Sequence, residues 1–322
     1  MRLIAHSFVA LLCACGSKDG TSPPPPPTKL PPVEVRPPQD LGIDRLPQPI
    51  VDLPKQQSFR LLDPGKGELA VLRYAVGEGE TTTRIEMTLT SRHMSGGTWS
   101  ETASLPPIRT AFTMASTGSG QLRARPLPGE VVGTATPEAL AYLGGWKASE
   151  NRRLAIGFDA RGQLGAIVFA DDPQAAHSRE AIDDLTQRLL SIVVPVPEEP
   201  VAVGASWRVV TILSQRPVVV KQTATYTLLA RTAQGWKVGI DLQRIGEEQT
   251  ITDPSVAKDA MVDLVALVRH YKGTLEVARD RALPTGTLEI DSSMHVRMQP
   301  RTGPVAEQIL EDRGTVVLTP SH

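Results

Sequence analysis

The sequence predicts an α+β fold that is mainly antiparallel β, built as a curved sheet or as two related β halves with one or two packed helices. Several segments alternate apolar and polar residues with a period of two, as half-buried strands do. Short turns that contain glycine separate these segments. One stretch, residues 177–194, instead has the apolar spacing of an amphipathic helix.

The first residues have the order of an export signal. Arg2 supplies a positive charge, and an apolar run of about ten residues follows from Leu3 to Leu12, interrupted by His6 and Ser7. This run is too short to span a bilayer, which takes about 20 apolar residues. We therefore predict that residues 1–14 are a signal peptide.

The end of this signal carries a sequence motif, Leu12-Cys13-Ala14-Cys15. It resembles the lipobox of bacterial lipoproteins, in which a small residue precedes the modified cysteine. The resemblance implies that signal peptidase II cuts before Cys15 and that its thiol is joined to a diacylglycerol. A cut before Cys13 would put the bulky Leu12 where the family has a small residue, so Cys15 is the preferred lipidation site. The alternatives are an ordinary secretory signal and an apolar N-terminal strand.

Lipidation at Cys15 would hold the chain at a membrane, since two acyl chains suffice for stable attachment. Under the sorting rule of enteric lipoproteins, Gly16 in place of aspartate favours the outer membrane over the inner membrane. We expect the protein in the cell envelope, with a lipid or an envelope protein as its partner. Cys13 and Cys15 are the only cysteines, so the mature body is expected to have no disulfide and no thiolate metal site.

Residues 15–58 comprise the lipidated cysteine and a proline-rich tether that we predict to be disordered. Its prolines are Pro23, Pro24, Pro25, Pro26, Pro27, Pro31, Pro32, Pro37, Pro38, Pro47, Pro49 and Pro54. Proline fixes φ and lacks the amide donor, which favours extended polyproline II over helix or strand. At ~3.1 Å per residue the tether could span on the order of 100 Å. A ligand for a proline-binding module is the alternative.

The predicted N-terminal half, residues 59–196, is β-rich and ends in the helix. Its predicted elements are strands at Glu68–Val76 and Arg84–Arg92, a brief helical or loop segment at Pro137–Leu143, a hairpin at Arg153–Phe169 and the helix at His177–Val194. Gly162 supplies the positive φ that the hairpin turn requires. The apolar stripe of the helix is expected to pack on the sheet rather than on a membrane.

The predicted C-terminal half, residues 197–322, is also β-rich. Its predicted strands are Trp207–Ser214, Val218–Arg231, Trp236–Ile245, Tyr271–Ala278, Gly286–Met298 and Gln308–Leu318, the last of which closes the sheet. Asp253–Leu267 fits a second helix, or the start of a strand from Val262. The half is interpreted either as a repeat of the first half or as an unrelated β meander that aligns with it by chance.

The segment from Pro197 to Trp207 carries a second resemblance, through Pro197, Pro200, Val201, Val203, Gly204 and Trp207. It resembles the Pro-x-x-Pro-Val-x-Val-Gly-x-x-Trp stretch of a family of bacterial secreted proteins and lipoproteins with no known activity. The resemblance covers mainly residues 195–300 and implies a β-rich extracytoplasmic body. Gly204 permits a tight turn, and we expect Trp207 to be a core residue.

No catalytic motif is complete in the sequence. Ser255-Val256-Ala257-Lys258 matches the Ser-x-x-Lys of penicillin-binding enzymes, but the later Ser-x-Asn and Lys-Thr-Gly motifs are missing. The histidines are isolated, and adjacent acids such as Asp171-Asp172 face solvent more often than they bind calcium. The net charge of −1 gives no reason to expect nucleic acid. We expect no catalytic residue, no metal and no cofactor.

The favoured function is a lipid-anchored cell-envelope protein of non-enzymatic binding or structural type. In one version, a groove between the curved sheet and the helix at 177–194 holds an apolar ligand or lipid, which is an analogy at the level of the fold. The alternative is an envelope-polymer hydrolase whose site is assembled from distant residues. That alternative predicts a polar cleft in which a nucleophile or paired carboxylates converge.

Replacing Cys15 tests the anchor. We expect intact-mass spectrometry of the membrane fraction to show a chain that begins at Cys15 and carries acyl mass, and the Cys15→Ala variant to lack that mass and retain residues 1–14. Cys13→Ala is the matched control and should still be acylated. An uncleaved, unmodified chain in the cytosol would contradict the prediction.

Overall fold

The computed structural model describes residues 57–118, 120–170, 178–215, 218–251, 260–300 and 304–321. Within them, an open sheet of 15 antiparallel strands is accompanied by two helices. This architecture confirms the predicted α+β class with mainly antiparallel β structure. The predicted signal peptide, Cys15 and nearly all of the tether lie outside the described residues.

The strands before residue 171 are β1 (Gln57–Asp63), β2 (Thr81–Ser95), β3 (Thr98–Trp99), β4 (Ala103–Ser104), β5 (Ile108–Ser116), β6 (Gln121–Val131), β7 (Leu154–Phe158) and β8 (Leu164–Phe169). The later strands are β9 (Ser206–Gln215), β10 (Val218–Arg231), β11 (Gly235–Gly246), β12 (Gln249–Ile251), β13 (Ala260–Ala278), β14 (Thr285–Pro300) and β15 (Ala306–Ser321). The helices are α1 (Pro137–Lys147) and α2 (Ser178–Ile192).

The two halves of the chain share one sheet. Its strand order is β1-β9-β10-β11-β13-β14-β15-β2-β5-β6-β7-β8, with β12 beside β13 and with β3 and β4 beside β2. The last strand, β15, therefore lies between β14 and β2 rather than at an edge, which differs from the expectation that it closes the sheet. The strands β1 and β8 end the order instead.

Several predicted elements are confirmed, and one is wrong. The hairpin at 153–169 forms as β7 and β8, with Gly162 at φ 72°, and Arg84–Arg92 lies inside β2. Glu68–Val76 was expected to be a strand, but only Ala70 pairs, in an isolated bridge with Val201. The backbone amides of Tyr74 and Ala75 instead donate to the carbonyls of loop residues Ala160 and Arg279. The segment therefore links loops of both halves.

Both described helices lie in segments that the sequence predicts to be helical, or helical or loop. In α1, Thr136 Oγ1 accepts from the amide of Ala139 at 3.2 Å, an N-cap bond. The helix continues through Gly144 and Gly145 to Lys147, so it is longer than predicted. The ambiguous 253–267 region is strand from Ala260 onward, and residues 252–259 are not described. Neither described helix has the length and hydropathy that a membrane span requires.

The larger hydrophobic core lies between the helices and the sheet. Leu185 and Leu189 of α2 are completely buried, in one cluster with Trp207. The indole of Trp207 donates to the carbonyl of Pro195 at 2.8 Å and stacks on Tyr226 at 5.7 Å between ring centroids. The prediction that Trp207 is a core residue is confirmed.

Glycine is required in strand pairings where the backbones approach closely, among them β15–β2 and β13–β14. A Cβ atom at Gly314 of β15 would overlap the carbonyl oxygen of Thr88 in β2. A Cβ atom at Gly273 of β13 would overlap the carbonyl oxygen of Thr287 in β14. Glycine at such positions permits a close approach or a sharp bend of the sheet.

Gly314→Ala should lower the free energy of unfolding by about 2 kcal/mol, because β15 must shift away from β2 to make room for the methyl group. Urea denaturation followed by circular dichroism measures this change. Gly79→Ala is the control, since a Cβ atom there meets nothing within 4 Å, and its stability should change little. Equal stabilities of the two variants would show that the close approach is not a constraint.

Candidate functional site

The two faces of the sheet have different surroundings. Side chains alternate between faces along each strand, and those of one face are buried with α2, as Ala224, Leu242 and Leu288 are. We call this the helix-covered face and the opposite one the helix-free face. Each carries one polar feature, and we describe the helix-free face first.

The helix-free face contains an open pocket of about 1410 Å³, which we call the trough. Residues of β9, β10, β11, β13, β14 and β15 line it. Many of these are threonines, a β-favouring residue that also brings a hydroxyl group: Thr223, Thr225, Thr227, Thr274, Thr285, Thr287 and Thr319. The trough is therefore lined with hydrogen-bonding groups held on a regular lattice of strands.

Charges of both signs face the trough in equal number. Its cations are Arg208, Lys237 and Lys272, and its acids are Asp241, Glu276 and Glu289. Lys237 is paired with Glu276 at 3.2 Å. Lys272 and Glu289 are cross-strand neighbours, yet neither makes an ion pair with a described residue. These two charges remain available to a ligand.

A histidine–carboxylate contact lies beside the trough. His270 Nε2 is 2.8 Å from Asp241 Oδ1, and the two side chains are 40% and 59% exposed. A hydrolytic triad needs a nucleophile bonded to the histidine, and among the described residues no hydroxyl is hydrogen-bonded to His270. Nor does the described part contain a cluster of three metal-ligating side chains. The arrangement can hold polar groups and charges, but it does not assemble a nucleophile with a base.

The helix-covered face carries a row of polar residues across six neighbouring strands. Their cross-strand order is Thr211, Gln222, Arg244, Arg269, Ser292 and Asp312. All are buried except Arg269, which is partly exposed. We call this the buried polar row. It lies between the larger core, which contains Leu242 and Ile290, and a second apolar cluster that contains Leu213 and Val296.

Arg244 connects this row to the end of α2. Its guanidinium donates to Gln222 Oε1 at 2.8 Å, to the Gln187 carbonyl at 2.7 Å and to Ser191 Oγ at 2.8 Å. Gln222 in turn donates to the carbonyl of Leu190 at 3.1 Å. A helix C-terminus has free carbonyls and a partial negative charge, so it favours a cation there. The row thus fixes the end of the helix on the sheet.

Burial and the charges of Arg244 and Arg269 determine the ionisation of the buried polar row and of the tyrosines beside it. Burial lowers the pKa of Arg244 to about 10, so it remains charged at neutral pH. Burial also raises the pKa of Tyr271, but the charges of Arg269 and Arg244 outweigh this and bring it below its ordinary value. Burial, followed by the charge of Asp312, raises the pKa of Tyr142. Its protonated hydroxyl donates to Asp312 Oδ2 at 2.8 Å, joining α1 to β15.

The residues singled out from the sequence as candidate site residues fall in parts of the chain that the structure does not describe. Cys15, Asp171-Asp172 and Ser255–Lys258 lie outside the described residues. Neither the trough nor the buried polar row is predicted from the sequence. A usable signal was present for the row, because Gln222 and Arg244 occupy inward positions in otherwise apolar alternating strands.

No family model matches this chain, and a search of curated proteins also finds no match.

Arg244→Ala should lower the free energy of unfolding by about 3 kcal/mol, because it leaves Gln222 Oε1 without this donor and removes the cation bonded to the end of α2. Thermal or urea denaturation measures the loss. Arg313→Ala is the matched control on β15. Its side chain is 67% exposed and its ion pair with Asp291 spans 3.6 Å, so little change is expected. Equal losses would contradict the role given to Arg244.

Proposed function

We propose that this chain is a lipid-anchored cell-envelope protein of non-enzymatic binding type, and that the trough binds an extended polar segment of an envelope protein partner. The observation that carries the proposal is the trough itself, which is open, polar and charged in both signs. Acyl chains on Cys15 would hold the protein at the membrane, with the outer membrane favoured over the inner.

The charge pattern supports a polypeptide partner rather than a uniformly charged polymer. Across neighbouring strands the order is Arg208, Thr225, Asp241, Lys272, Glu289. Neighbouring strands lie about 4.8 Å apart, so these five trough residues present cations and anions at short, fixed intervals. An extended peptide carries backbone donors and acceptors together with side chains of both signs. A strongly anionic or cationic polymer would meet like charge among these trough residues.

The packing of α2 favours the trough over an apolar groove beneath the helix. Ile182, Leu185 and Leu189 are buried in the larger core, against side chains of the sheet. A lipid in that space would have to displace them, whereas the trough is open as described. A lipid groove and the hydrolase alternative remain predictions from the sequence.

The predicted tether suits a protein that reaches for a partner. If residues 15–56 are extended, the body can search on the order of 100 Å from the lipid. Anchoring both proteins in one envelope also raises their effective concentration, so a weak polar contact is sufficient.

Site-specific crosslinking tests the trough. A benzophenone amino acid at Thr287, within the trough, should yield an adduct with an envelope protein in living cells, identified by mass spectrometry. Lys272→Glu should reduce this adduct at least threefold, because it reverses a trough charge that makes no ion pair with a described residue.

The matched control position is Thr90 of β2, a partly exposed threonine outside the trough that should give no such adduct. Arg313→Glu is the control for charge reversal. Equal adducts from Thr287 and Thr90, or a lipid adduct at Thr287, would refute the proposal.

A further inference from the structure

Exposed apolar side chains concentrate at one end of the sheet. The buried polar row separates this end from the rest, and β1 begins at the row, where Gln57 is the cross-strand neighbour of Thr211, so that the N-terminus of β1 faces this end. The predicted tether therefore joins the body at this end, which we call the tether end. Of the thirteen exposed large hydrophobic residues in the described part of the chain, seven lie here: Trp99, Ile212, Val219, Ile245, Met261, Val268 and Val305. Such clustering marks an interaction surface, whereas scattered single residues do not.

Four of these residues form a patch on the helix-free face. Ile212, Val219, Ile245 and Val268 expose 36%, 51%, 40% and 40% of their surface. Lys221 is the cross-strand neighbour of Ile212 and of Ile245, and Ile245 is the neighbour of Val268. The four aliphatic side chains and the stem of Lys221 are therefore contiguous. We call this the aliphatic patch.

We infer that the aliphatic patch contacts the surface of the lipid bilayer that holds Cys15, so that the body lies with its tether end on the membrane. The inference rests on the proposed lipid anchor. The position of the patch argues for lipid as the occupant, because the chain that leads back to Cys15 enters β1 at Gln57, opposite Thr211, the residue before Ile212. Because the tether joins the body at this end, this end can meet the membrane when the tether is not extended.

The composition of the tether end agrees with a membrane interface. Trp99 is 39% exposed, and the guanidinium of Arg92 lies 4.4 Å from its ring centroid. Tryptophan and long basic side chains are favoured where headgroups meet acyl chains. Lys221 can extend its amine toward lipid phosphates while its stem remains among the aliphatic residues.

Charge contributes less to the proposed membrane contact than burial of apolar surface does. Arg297 is already paired with Glu248 at 3.2 Å and Glu307 at 3.5 Å, so its charge is largely compensated. A soluble protein with this patch would bind vesicles weakly. The anchor makes the contact intramolecular, and a high effective concentration compensates for weak affinity. The contact should therefore depend on the anchor and little on salt.

A single cysteine probe tests the contact. The sulfur of Cys15 is occupied by its lipid in the proposed mature chain, so Val219→Cys introduces the only free thiol. The acylated full chain, checked by intact mass, is labelled there with an environment-sensitive dye and reconstituted in vesicles of phosphatidylethanolamine and phosphatidylglycerol. Spin-labelled lipids should quench this probe at least threefold more than a probe at Thr90→Cys.

Ile212→Glu combined with Ile245→Glu should abolish the excess quenching while the acyl mass on Cys15 is unchanged. Both side chains are more than a third exposed, so the fold should tolerate the changes. Quenching at Val219 no greater than at Thr90 in the acylated protein overturns the inference and leaves the anchor intact. If the probe at Val219 is shielded without lipid, to an extent that depends on protein concentration, the patch binds a second copy of the chain. That result also overturns the inference. Absence of acyl mass refutes the anchor, and this inference with it.

Discussion

The pairing of β15 with β2 is the contact on which the rest of the fold depends. Residues 308–321 pair in register with residues 82–95, and Thr88 and Thr315, 227 positions apart, share a hydrogen bond of 2.7 Å between their hydroxyl groups. This pairing makes one sheet from the strands of both halves, and the larger core draws on both. The ends of the body must therefore meet before the core is complete, which is costly in chain entropy.

The buried polar row gives the helix-covered face its geometry. A buried arginine beside a second, partly exposed one in the neighbouring strand is costly unless its donors are satisfied. The end of α2 supplies acceptors for Arg244, and Asp312 supplies opposite charge near Arg269. Apolar packing alone allows a helix to slide along a sheet, whereas directional hydrogen bonds select one position. The row thus sets where α2 lies, and with it which part of the sheet is covered.

Covering one face leaves the other for contacts outside the chain. Threonines and balanced charges occupy the middle of the helix-free face, and aliphatic residues occupy its tether end. In the proposed arrangement the aliphatic patch rests on lipid and the trough opens next to the membrane surface. A peptide segment close to the membrane is then within reach of the trough. The short distance between the two surfaces follows from the strands they share, such as β10 and β11.

The sequence determined the properties that depend on local order. Alternation predicted β10 with its bounds, from Val218 to Arg231, and glycine at position 162 predicted the turn of the β7–β8 hairpin. The export signal and its lipobox are likewise linear patterns, and they remain predictions. Only the tertiary structure decided which strands are neighbours, because register and order arise from contacts between residues distant in the chain. It therefore also decided that Glu68–Val76 is not a strand, that Arg244 meets the end of α2, and that Lys272 and Glu289 line one trough.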